Sequence, residues 1–306
     1  MHPSYRLGPS PDPRAGRHPG GARQHGRVTD AGVARLAEWV SDGGVAVLSG
    51  AGLSTDSGIP DYRGPSGVAR RATPMTYQEF TRDPVARRRY WARSHLGWRT
   101  VGDAAPNAGH RAVARLQELA ALGGIVTQNV DGLHQAGGAR DVVELHGNLA
   151  RVACLGCGAR SSRWELEQRL TAANPGFAPA VSAVNPDGDV TLDDGALDGF
   201  VVVDCAACGG LLKPDVVYFG ETVPPDRVSR AFDLVMAART LLVLGSSLTV
   251  MSGRRFVLRA AKEGIRVAIV NQGATRGAPY AGVVVDAPLG EVLPEIVRRV
   301  EGPAAA

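Results

Sequence analysis

The sequence predicts an α/β protein with a parallel, doubly wound sheet and a small inserted module. Short apolar runs typical of buried strands alternate with amphipathic helical stretches over most of the chain. Glycine-rich and polar segments directly follow several of these runs, as ligand-binding loops do in open parallel sheets. The alternation stops between residues 149 and 212, where all four cysteines lie. This interruption indicates a separate small module.

The first predicted helix begins near Asp30, because apolar residues recur on one helical face: Val33, Leu36, Ala37 and Val40. The other predicted elements follow in chain order. They are a strand at 45–48, an Arg-rich helical region at 76–100, a helix at 108–122, strands at 125–127 and 142–145, an extended run at 214–219, a helix at 226–238, a strand at 241–244, a helix at 253–263, a strand at 267–270 and a helix at 290–301.

Composition limits the class of protein. The chain has 306 residues, of which 44% are hydrophobic and 21% charged, as in globular proteins. The net charge of +4 comes almost wholly from arginine, since lysine occurs only at 213 and 262. This modest excess does not predict sequence-specific nucleic-acid binding. No apolar stretch has the length of a membrane span or the form of a signal peptide. We expect a soluble, cytoplasmic and monomeric protein.

Three regions of different composition predict the domain organisation. Residues 1–27 are rich in Pro, Gly, Arg and His, and we expect a disordered tail. An organelle transit peptide is the alternative, but amphipathic periodicity is missing. The large domain comprises 28–148 and 213–302, and the small module comprises 149–212.

An acidic loop lies inside the small module. A calcium site is one interpretation, but the carboxylates do not follow EF-hand spacing. A solvated surface loop is the expectation for these aspartates: Asp187, Asp189, Asp193, Asp194 and Asp198.

Two Cys-x-x-Cys pairs, Cys154 with Cys157 and Cys205 with Cys208, predict a metal site. Each such turn directs two thiolates at one ion, and two turns complete a tetrahedral zinc site without an open position. Disulfides and a thioredoxin-like redox pair are the alternatives. An intracellular chain with four cysteines in two matched pairs favours one structural zinc ion.

The stretch from Gly50 to Arg63 is the most informative part of the chain. It follows the predicted strand 45–48, and its opening Gly-Ala-Gly lets backbone N–H groups approach a phosphate closely. The polar residues that follow can line a pocket for the rest of a nucleotide. A loop that needs only flexibility has no use for the stiff Ile59-Pro60 pair before Asp, Tyr and Arg.

Polar residues also follow the later strands, where ligands bind in open α/β sheets. Asn129 can donate to and accept from a ribose or a carboxamide, and Asp131 can accept from an amide N–H. A local Asx turn is the alternative for each of them alone. The segments Gly245-Ser246-Ser247 and Asn271-Gln272-Gly273 suit a ribose and the adenine end of a dinucleotide.

His146 follows the strand at 142–145, beside Gly147. Imidazole can take a proton near neutral pH, so this position favours a catalytic base over a structural histidine. We expect His134 and His110 to be structural, as a turn residue and a helix-start residue. The extended run through Glu221 can pair with an extended peptide, or it can be a buried strand.

Taken in order, these motifs resemble a complete sirtuin, an NAD-dependent protein deacylase, from about residue 33 to 298. Tyr62 stands where that family more often has Phe. The resemblance implies a Rossmann-type large domain, a zinc-ribbon module, and NAD consumed as a co-substrate. It implies His146 as general base and an acyl-lysine peptide held by Val217, Phe219, Gly220 and Glu221. It implies that NAD is bound by Gly50, Ala51, Gly52, Ser54, Asp61, Tyr62, Arg63, Gln128, Asn129, Asp131, Gly245, Ser246, Ser247, Asn271, Gln272, Gly273 and Leu289.

Several segments resemble the class II sirtuins, the group that contains the mitochondrial lipoamidase-type enzyme. They are Tyr90-Trp91-Ala92-Arg93, Gly97-Trp98, Pro186-Asp187-Gly188-Asp189 and Asn271-Gln272-Gly273. Tyr90 and Arg93 are three apart on a helix, and a similar pair grips a carboxylate in desuccinylase-type sirtuins. We therefore expect an acyl channel lined by this pair. The alternative for Arg93 is a solvated charge like those of the nearby arginines, Arg87, Arg88, Arg89 and Arg99.

The resemblance also implies a mechanism. The acyl-lysine carbonyl oxygen attacks the nicotinamide ribose carbon as nicotinamide leaves, and His146 then draws a proton from the ribose hydroxyls. Water completes the transfer to O-acyl-ADP-ribose, while Asn129 and Asp131 hold the reacting groups. A protein mono-ADP-ribosyltransferase that uses the same pocket is the main alternative. A non-enzymatic NAD sensor or scaffold would have little need of these three residues.

Overall fold

The computed structural model describes residues 30–61, 74–179, 183–184, 190–191 and 199–302. The predicted tail at 1–27 and the five aspartates of the acidic loop lie outside these ranges, as do Tyr62 and Arg63. The segment Pro186-Asp187-Gly188-Asp189 is outside them too.

The strands alternate with helices much as the sequence predicts. The strands are β1 (Val45–Ser49), β2 (Leu122–Thr127), β3 (Val142–Glu144), β4 (Gly147–Cys154), β5 (Arg160–Ser162), β6 (Ala183–Val184), β7 (Val190–Thr191), β8 (Leu212–Val216), β9 (Thr240–Leu244), β10 (Arg266–Val270) and β11 (Val283–Val285). The helices are α1 (Asp30–Ser41), α2 (Tyr77–Arg82), α3 (Pro84–Gly102), α4 (Ala108–Glu118), α5 (Leu133–Ala136), α6 (Arg163–Ala173), α7 (Pro225–Met236), α8 (Met251–Lys262) and α9 (Leu289–Glu301).

Six parallel strands form the main sheet in the order β11-β10-β9-β1-β2-β3. The chain builds outward from β1 on one side through β2 and β3, and later on the other side through β9, β10 and β11. The strand order therefore reverses between β1 and β9, and a crevice opens at this point in open α/β sheets. The predicted α/β fold class is confirmed.

Both faces of this sheet are covered by helices, which explains why its central strands are continuously apolar. Val45 and Val47 of β1 lie in one core with α1, α4 and α9. Ala46 and Leu48 lie in the opposite core with α7 and α8. Successive side chains of a strand point to opposite faces, so one five-residue strand supplies both cores.

The Arg-rich region at 76–100 is two helices rather than one. The break falls at Asp83, because a residue before proline is disfavoured in the α conformation. The Asp83 carboxylate accepts hydrogen bonds from the backbone N–H groups of Val85 (2.8 Å) and Ala86 (3.1 Å). It thus caps α3, which begins at Pro84.

The small module contains an antiparallel sheet in the order β5-β4-β8 and a short β6–β7 pair. The module also holds α6, which the sequence pattern did not predict although Ser162 and Glu165 form a capping box at its start. β8 is an edge strand of this sheet but is buried along its whole length, so the first part of the extended run is a buried strand. The residues after it are not part of the strand. The domain boundaries at 149 and 212 stay predictions.

A membrane-crossing helix would need to be longer and more apolar than any helix in the described ranges.

Candidate active site

A cleft of about 830 Å³ lies at the carboxyl ends of the central strands. The structure brings most of the predicted site residues together in it. Those that line the cleft are Gly50, Ala51, Gly52, Ser54, Asp61, Gln128, Asn129, Asp131, His146, Val217, Phe219, Gly220, Glu221, Gly245, Ser246, Ser247, Asn271, Gln272, Gly273 and Leu289.

The glycine loop after β1 packs backbone to backbone against the turn after β9. The N–H of Gly50 donates to the carbonyl of Leu244 (2.9 Å), and that of Gly52 donates to the carbonyl of Gly245 (2.9 Å). A Cβ on Gly52 would lie 2.9 Å from Cα of Gly245, so a side chain cannot fit there. Gly245 has a φ of +60°, in the left-handed region that favours glycine. Glycine is therefore required at both turns.

The residues after β2 are held in place by hydrogen bonds to this loop. The Asn129 amide donates to the Gly50 carbonyl (3.1 Å) and to the Ser54 hydroxyl (3.0 Å). That hydroxyl donates to the Asp131 carboxylate (2.7 Å), which also accepts from the N–H of Leu133 (2.9 Å). Burial raises the pKa of Asp131, although both hydrogen bonds oppose the shift. Asn129 and Asp131 are thus oriented before any ligand binds.

A layer of buried polar side chains lies beneath Asn129 and Asp131. The Ser49 hydroxyl donates to Thr127 Oγ1 (2.8 Å), and its oxygen lies 2.8 Å from Nε2 of His134. The rings of His134 and His110 meet edge to face, with 5.3 Å between centroids. Burial lowers the pKa of His110 to about 4 and that of His134 to about 3. Both histidines are therefore neutral and part of the interior. The sequence predicted a structural role for each, but no motif or spacing predicted their burial or a shared network.

His146 lies in the turn between β3 and β4, and both of its ring nitrogens have partners. Nδ1 is 2.9 Å from the backbone carbonyl of Gln128, and Nε2 is 2.8 Å from the hydroxyl of Ser252. Burial lowers the pKa of His146 most, and nearby Arg255 and Arg227 lower it further, against the opposing effect of the carbonyl. The imidazole is therefore neutral at physiological pH and able to take a proton. Ser252, which also lines the cleft, was missed at the sequence level.

The segment after β8 borders the same cavity. The N–H of Val217 donates to the carbonyl of His146 (2.8 Å), which ties this segment to the turn of the histidine. The Glu221 carboxylate accepts from the N–H of Tyr218 (2.8 Å) and from Nζ of buried Lys213 (3.1 Å). Glu221 therefore closes this loop on itself.

Small polar residues line the opposite end of the cleft. The Ser246 hydroxyl accepts from the side-chain amide of Gln128 (2.9 Å). The Asn271 amide donates to the carbonyl of Gly273 (3.0 Å). The N–H of Gly273 donates to the Asp286 carboxylate (2.9 Å). These contacts order the loops after β9 and β10.

Tyr90 and Arg93 are not among the described residues that line the cleft. Tyr90 is 1% exposed, and its ring meets Phe80 and Trp91 edge to face. It also packs edge to face against Tyr218, which does line the cleft, at 5.5 Å between centroids. Tyr90 thus lies one layer behind the cavity, and the role of the pair in acyl selectivity stays a prediction.

The four cysteine sulfurs lie within 4.8 Å of one another. The Sγ atoms of Cys154 and Cys208 are 3.5 Å apart, and those of Cys157 and Cys205 are 3.9 Å apart. Zn–S bonds of about 2.3 Å in a tetrahedron place sulfurs roughly 3.8 Å apart, so the donors fit zinc. These separations are far longer than an S–S bond of about 2.05 Å. A closed set of four thiolates leaves no position for a reactant, which makes the metal structural.

We expect purified protein to contain one zinc ion per chain, and Cys157→Ser to lose it. The loss should lower the thermal midpoint of unfolding and reduce activity, because metal binding stabilises the small module and β8 lies next to the cleft. Metal analysis with a thermal melt checks this, with Ser161→Ala, an exposed change in the same module, as control. Wild-type zinc content and stability in Cys157→Ser would contradict the assignment.

This fold and cleft indicate a nucleotide-binding α/β enzyme with a structural metal module. A model of the Sir2 family matches residues 50–252, well over half of the chain. A Streptomyces coelicolor protein named NAD-dependent protein deacetylase 1 is 60% identical over 267 residues, covering 87% of this chain and 89% of that protein. A Mycobacterium avium protein of the same name is 54% identical, covering 81% and 89%.

Solved structures agree. One described as "Structural Basis for the Mechanism and Regulation of Sir2 Enzymes" has a TM-score of 0.71 at 29% identity, covering 89% of this chain and 98% of that one. Another, "Sir2-p53 peptide-NAD+", has a TM-score of 0.68 at 27% identity, covering 86% and 95%. The chain belongs to the Sir2 family, which confirms the resemblance to the sirtuins at the level of the family.

Proposed function

We propose that this protein removes acyl groups from lysine side chains of proteins as a class II sirtuin, with His146 as the general base. Membership of the Sir2 family shows NAD-dependent protein deacetylase activity. This confirms the predicted enzyme class and NAD as the co-substrate. The observation that carries the residue-level proposal is the half-buried imidazole of His146, which lines a cleft at the switch point of the sheet and is anchored through Nδ1 to the Gln128 carbonyl at 2.9 Å.

The chemistry that we propose follows from the arrangement of the cleft. The small residues of the glycine loop leave room for the phosphates of NAD, although the N–H groups of Gly50 and Gly52 already donate to the turn after β9. Asn129 and Asp131 orient the ribose and nicotinamide. Their fixed hydrogen bonds mean that little reorganisation is needed when substrates arrive. Such positioning can supply on the order of 7–11 kcal/mol of the barrier. His146 then accepts the proton of a ribose hydroxyl, which lets that oxygen attack the acyl carbon.

The peptide partner is assigned to the segment after β8. Phe219 is 42% exposed beside the cleft, and its carbonyl accepts from the N–H of Tyr77 (2.9 Å). This bond anchors the segment to the start of α2, so it can meet an extended peptide as a fixed edge. The likeness to a Sir2 chain described with a p53 peptide and NAD+ supports acyl-lysine peptides as partners. The cytoplasmic location and the monomeric state also remain proposals.

The class II assignment, with similarity to the lipoamidase-type enzyme, rests on the four segments named in the sequence analysis, of which Tyr-Trp-Ala-Arg and Gly-Trp lie in α3. The guanidinium carbon of buried Arg163 in α6 lies 5.6 Å from the ring centroid of Trp91 and 5.1 Å from that of Trp98. These residues therefore build the interface between α3 and the small module. Nε of Arg93 is buried and makes no hydrogen bond within the described part of the chain. We propose this nitrogen as a contact for the polar end of the acyl group.

We expect acyl groups with a terminal carboxylate or a long polar chain to be removed faster than acetyl, because an arginine fork can bind a carboxylate through two hydrogen bonds. The measurement compares kcat/KM for acetyl-, glutaryl- and lipoyl-lysine peptides, with and without NAD. Arg93→Ala should reduce the preference, and Arg99→Ala, an exposed change on the same helix, should not.

Each outcome of this panel has a distinct meaning. No NAD-dependent loss of any acyl group would refute the proposed function as a whole. Acetyl as the best substrate, with an unchanged ranking in Arg93→Ala, would refute only the role of the Tyr90–Arg93 pair.

A further inference from the structure

Ser252 contacts the nitrogen of His146 that has to take the proton. It lies in the first turn of α8 and lines the cleft, and its Oγ is 2.8 Å from Nε2 of the histidine. Neither the motifs of the sequence nor the resemblance to the sirtuins gave this serine a role. Its position at the reacting atom sets it apart from the other polar residues of the cleft.

The direction of the two hydrogen bonds follows from the chemistry of the partners. The backbone carbonyl of Gln128 can only accept, so Nδ1 of His146 carries the hydrogen of the neutral ring. Nε2 then has a lone pair, and the Ser252 hydroxyl must be the donor to it. One bond fixes the tautomer, and the other fixes the direction in which the basic lone pair points.

The start of α8 is shaped to hold both partners of the histidine. Gly253, the next residue, has no side chain, and a Cβ there would overlap the side-chain amide of Gln128. The carbonyl of Ser252 accepts from Nε of Arg255 (3.1 Å), which steadies the turn on its other side. The Ser-Gly pair at 252–253 therefore touches His146 directly and also touches the residue whose carbonyl orients it.

We propose that Ser252 is a positioning residue for the general base, which holds the lone pair of His146 toward the cleft until a substrate hydroxyl replaces it. In this exchange the Ser252 O–H···Nε2 bond breaks and a ribose O–H···Nε2 bond forms. The ribose proton then moves to Nε2, while the serine keeps its own proton. The inference rests on the proposed function, since it requires His146 to be the base.

Ser252→Ala should lower kcat about 10-fold, because without the serine only about a tenth of the rings would present Nε2 to the cleft, while KM for NAD and for peptide stays within about twofold. Ser252→Thr keeps the hydroxyl and should restore most of kcat. Met251→Ala is the matched control, because Met251 occupies the same turn with its side chain exposed. A wild-type kcat in Ser252→Ala would overturn the proposal.

A second measurement reads the imidazole directly and does not depend on turnover. In protein labelled with ¹⁵N-histidine, a long-range ¹H–¹⁵N spectrum reports the tautomer of each ring, and His146→Asn assigns the signal of His146. We expect the Nδ1–H tautomer in the wild type, with the Nε2 resonance shifted in Ser252→Ala and restored in Ser252→Thr. An unchanged Nε2 resonance in Ser252→Ala would overturn the proposal even if kcat falls. Full turnover in His146→Asn would instead refute the base itself.

Discussion

His146→Asn should reduce kcat/KM for acyl-lysine peptide by about 10²–10⁴-fold, the usual contribution of a general base. Asparagine is the sharpest substitution, because its amide can still donate to the Gln128 carbonyl as Nδ1 does. What it lacks is a basic nitrogen at the position of Nε2. The variant therefore removes proton acceptance while it keeps the anchoring bond. Steady-state kinetics at saturating NAD measure the loss.

Folding and the early chemistry serve as the controls for this variant. Its thermal midpoint should stay close to that of the wild type, because one anchoring hydrogen bond is kept. Exchange of labelled nicotinamide into NAD should also persist, since nicotinamide leaves before the base acts in the proposed mechanism. Turnover near the wild-type value in a folded His146→Asn would show that another group takes the proton.

Two buried histidines that resist protonation should together lower the free energy of unfolding by about 4 kcal/mol between pH 7 and pH 5. Their pKa values are about 4 for His110 and about 3 for His134 in the folded chain, below the ordinary value of 6.5. From pH 6.5 downward the unfolded chain therefore binds more protons than the folded one. The free energy of unfolding must fall with pH, by about 1.4 kcal/mol per unit for each histidine. The lowered pKa of His146 acts in the same direction, and the raised pKa of Asp131 acts in the opposite one.

Urea unfolding at a series of pH values tests this expectation. The informative quantity is the slope of the free energy of unfolding against pH near pH 5, rather than the stability at any single pH. His134→Asn should reduce this slope by about 1.4 kcal/mol per pH unit, which corresponds to about one bound proton. His110→Asn should do the same, whatever either variant does to stability at pH 7. A slope that neither variant changes would mean that other groups cause the acid sensitivity.

The sequence predicts the main sheet and the cleft well, for a physical reason. Strands buried on both faces are continuously apolar, and β1 and β9 are of this kind. Ligand loops follow such strands directly, so the sequence alone assigns residues as far apart as Gly50 and Gly245 to one site. The metal site is predicted equally well, because the two ligands of each cysteine pair lie close together along the chain.

Contacts between distant polar residues could not be predicted in the same way. Ser49 and His134 are separated by 85 positions, and His146 and Ser252 by 106. Nothing in local periodicity or motif spacing records such a pairing. Only the packing of α8 against the sheet brings Ser252 to the histidine. The signal that could have indicated Ser252 is its place just after a strand-end loop, at the start of a helix.

In α3 the sequence predicted the helical spacing but not the surroundings of the side chains. Helical spacing correctly put Tyr90 and Arg93 three positions apart on one helix. It could not show that the Tyr90 ring is packed among aromatic residues, since an aromatic stripe on a helix looks the same when it faces a core or a channel. Whether a side chain lines a cavity depends on the partner across from it, here Tyr218.

The fate of the acyl group tests the central claim most directly. Mass spectrometry of a reaction with NAD and an acyl-lysine peptide follows three products: nicotinamide, free-lysine peptide and the ADP-ribose species. We expect all three in equal amounts, with the acyl group on ADP-ribose and with none of them formed without NAD. A peptide that keeps its acyl group and gains the mass of ADP-ribose would contradict the proposed deacylation, and would identify the protein as an ADP-ribosyltransferase.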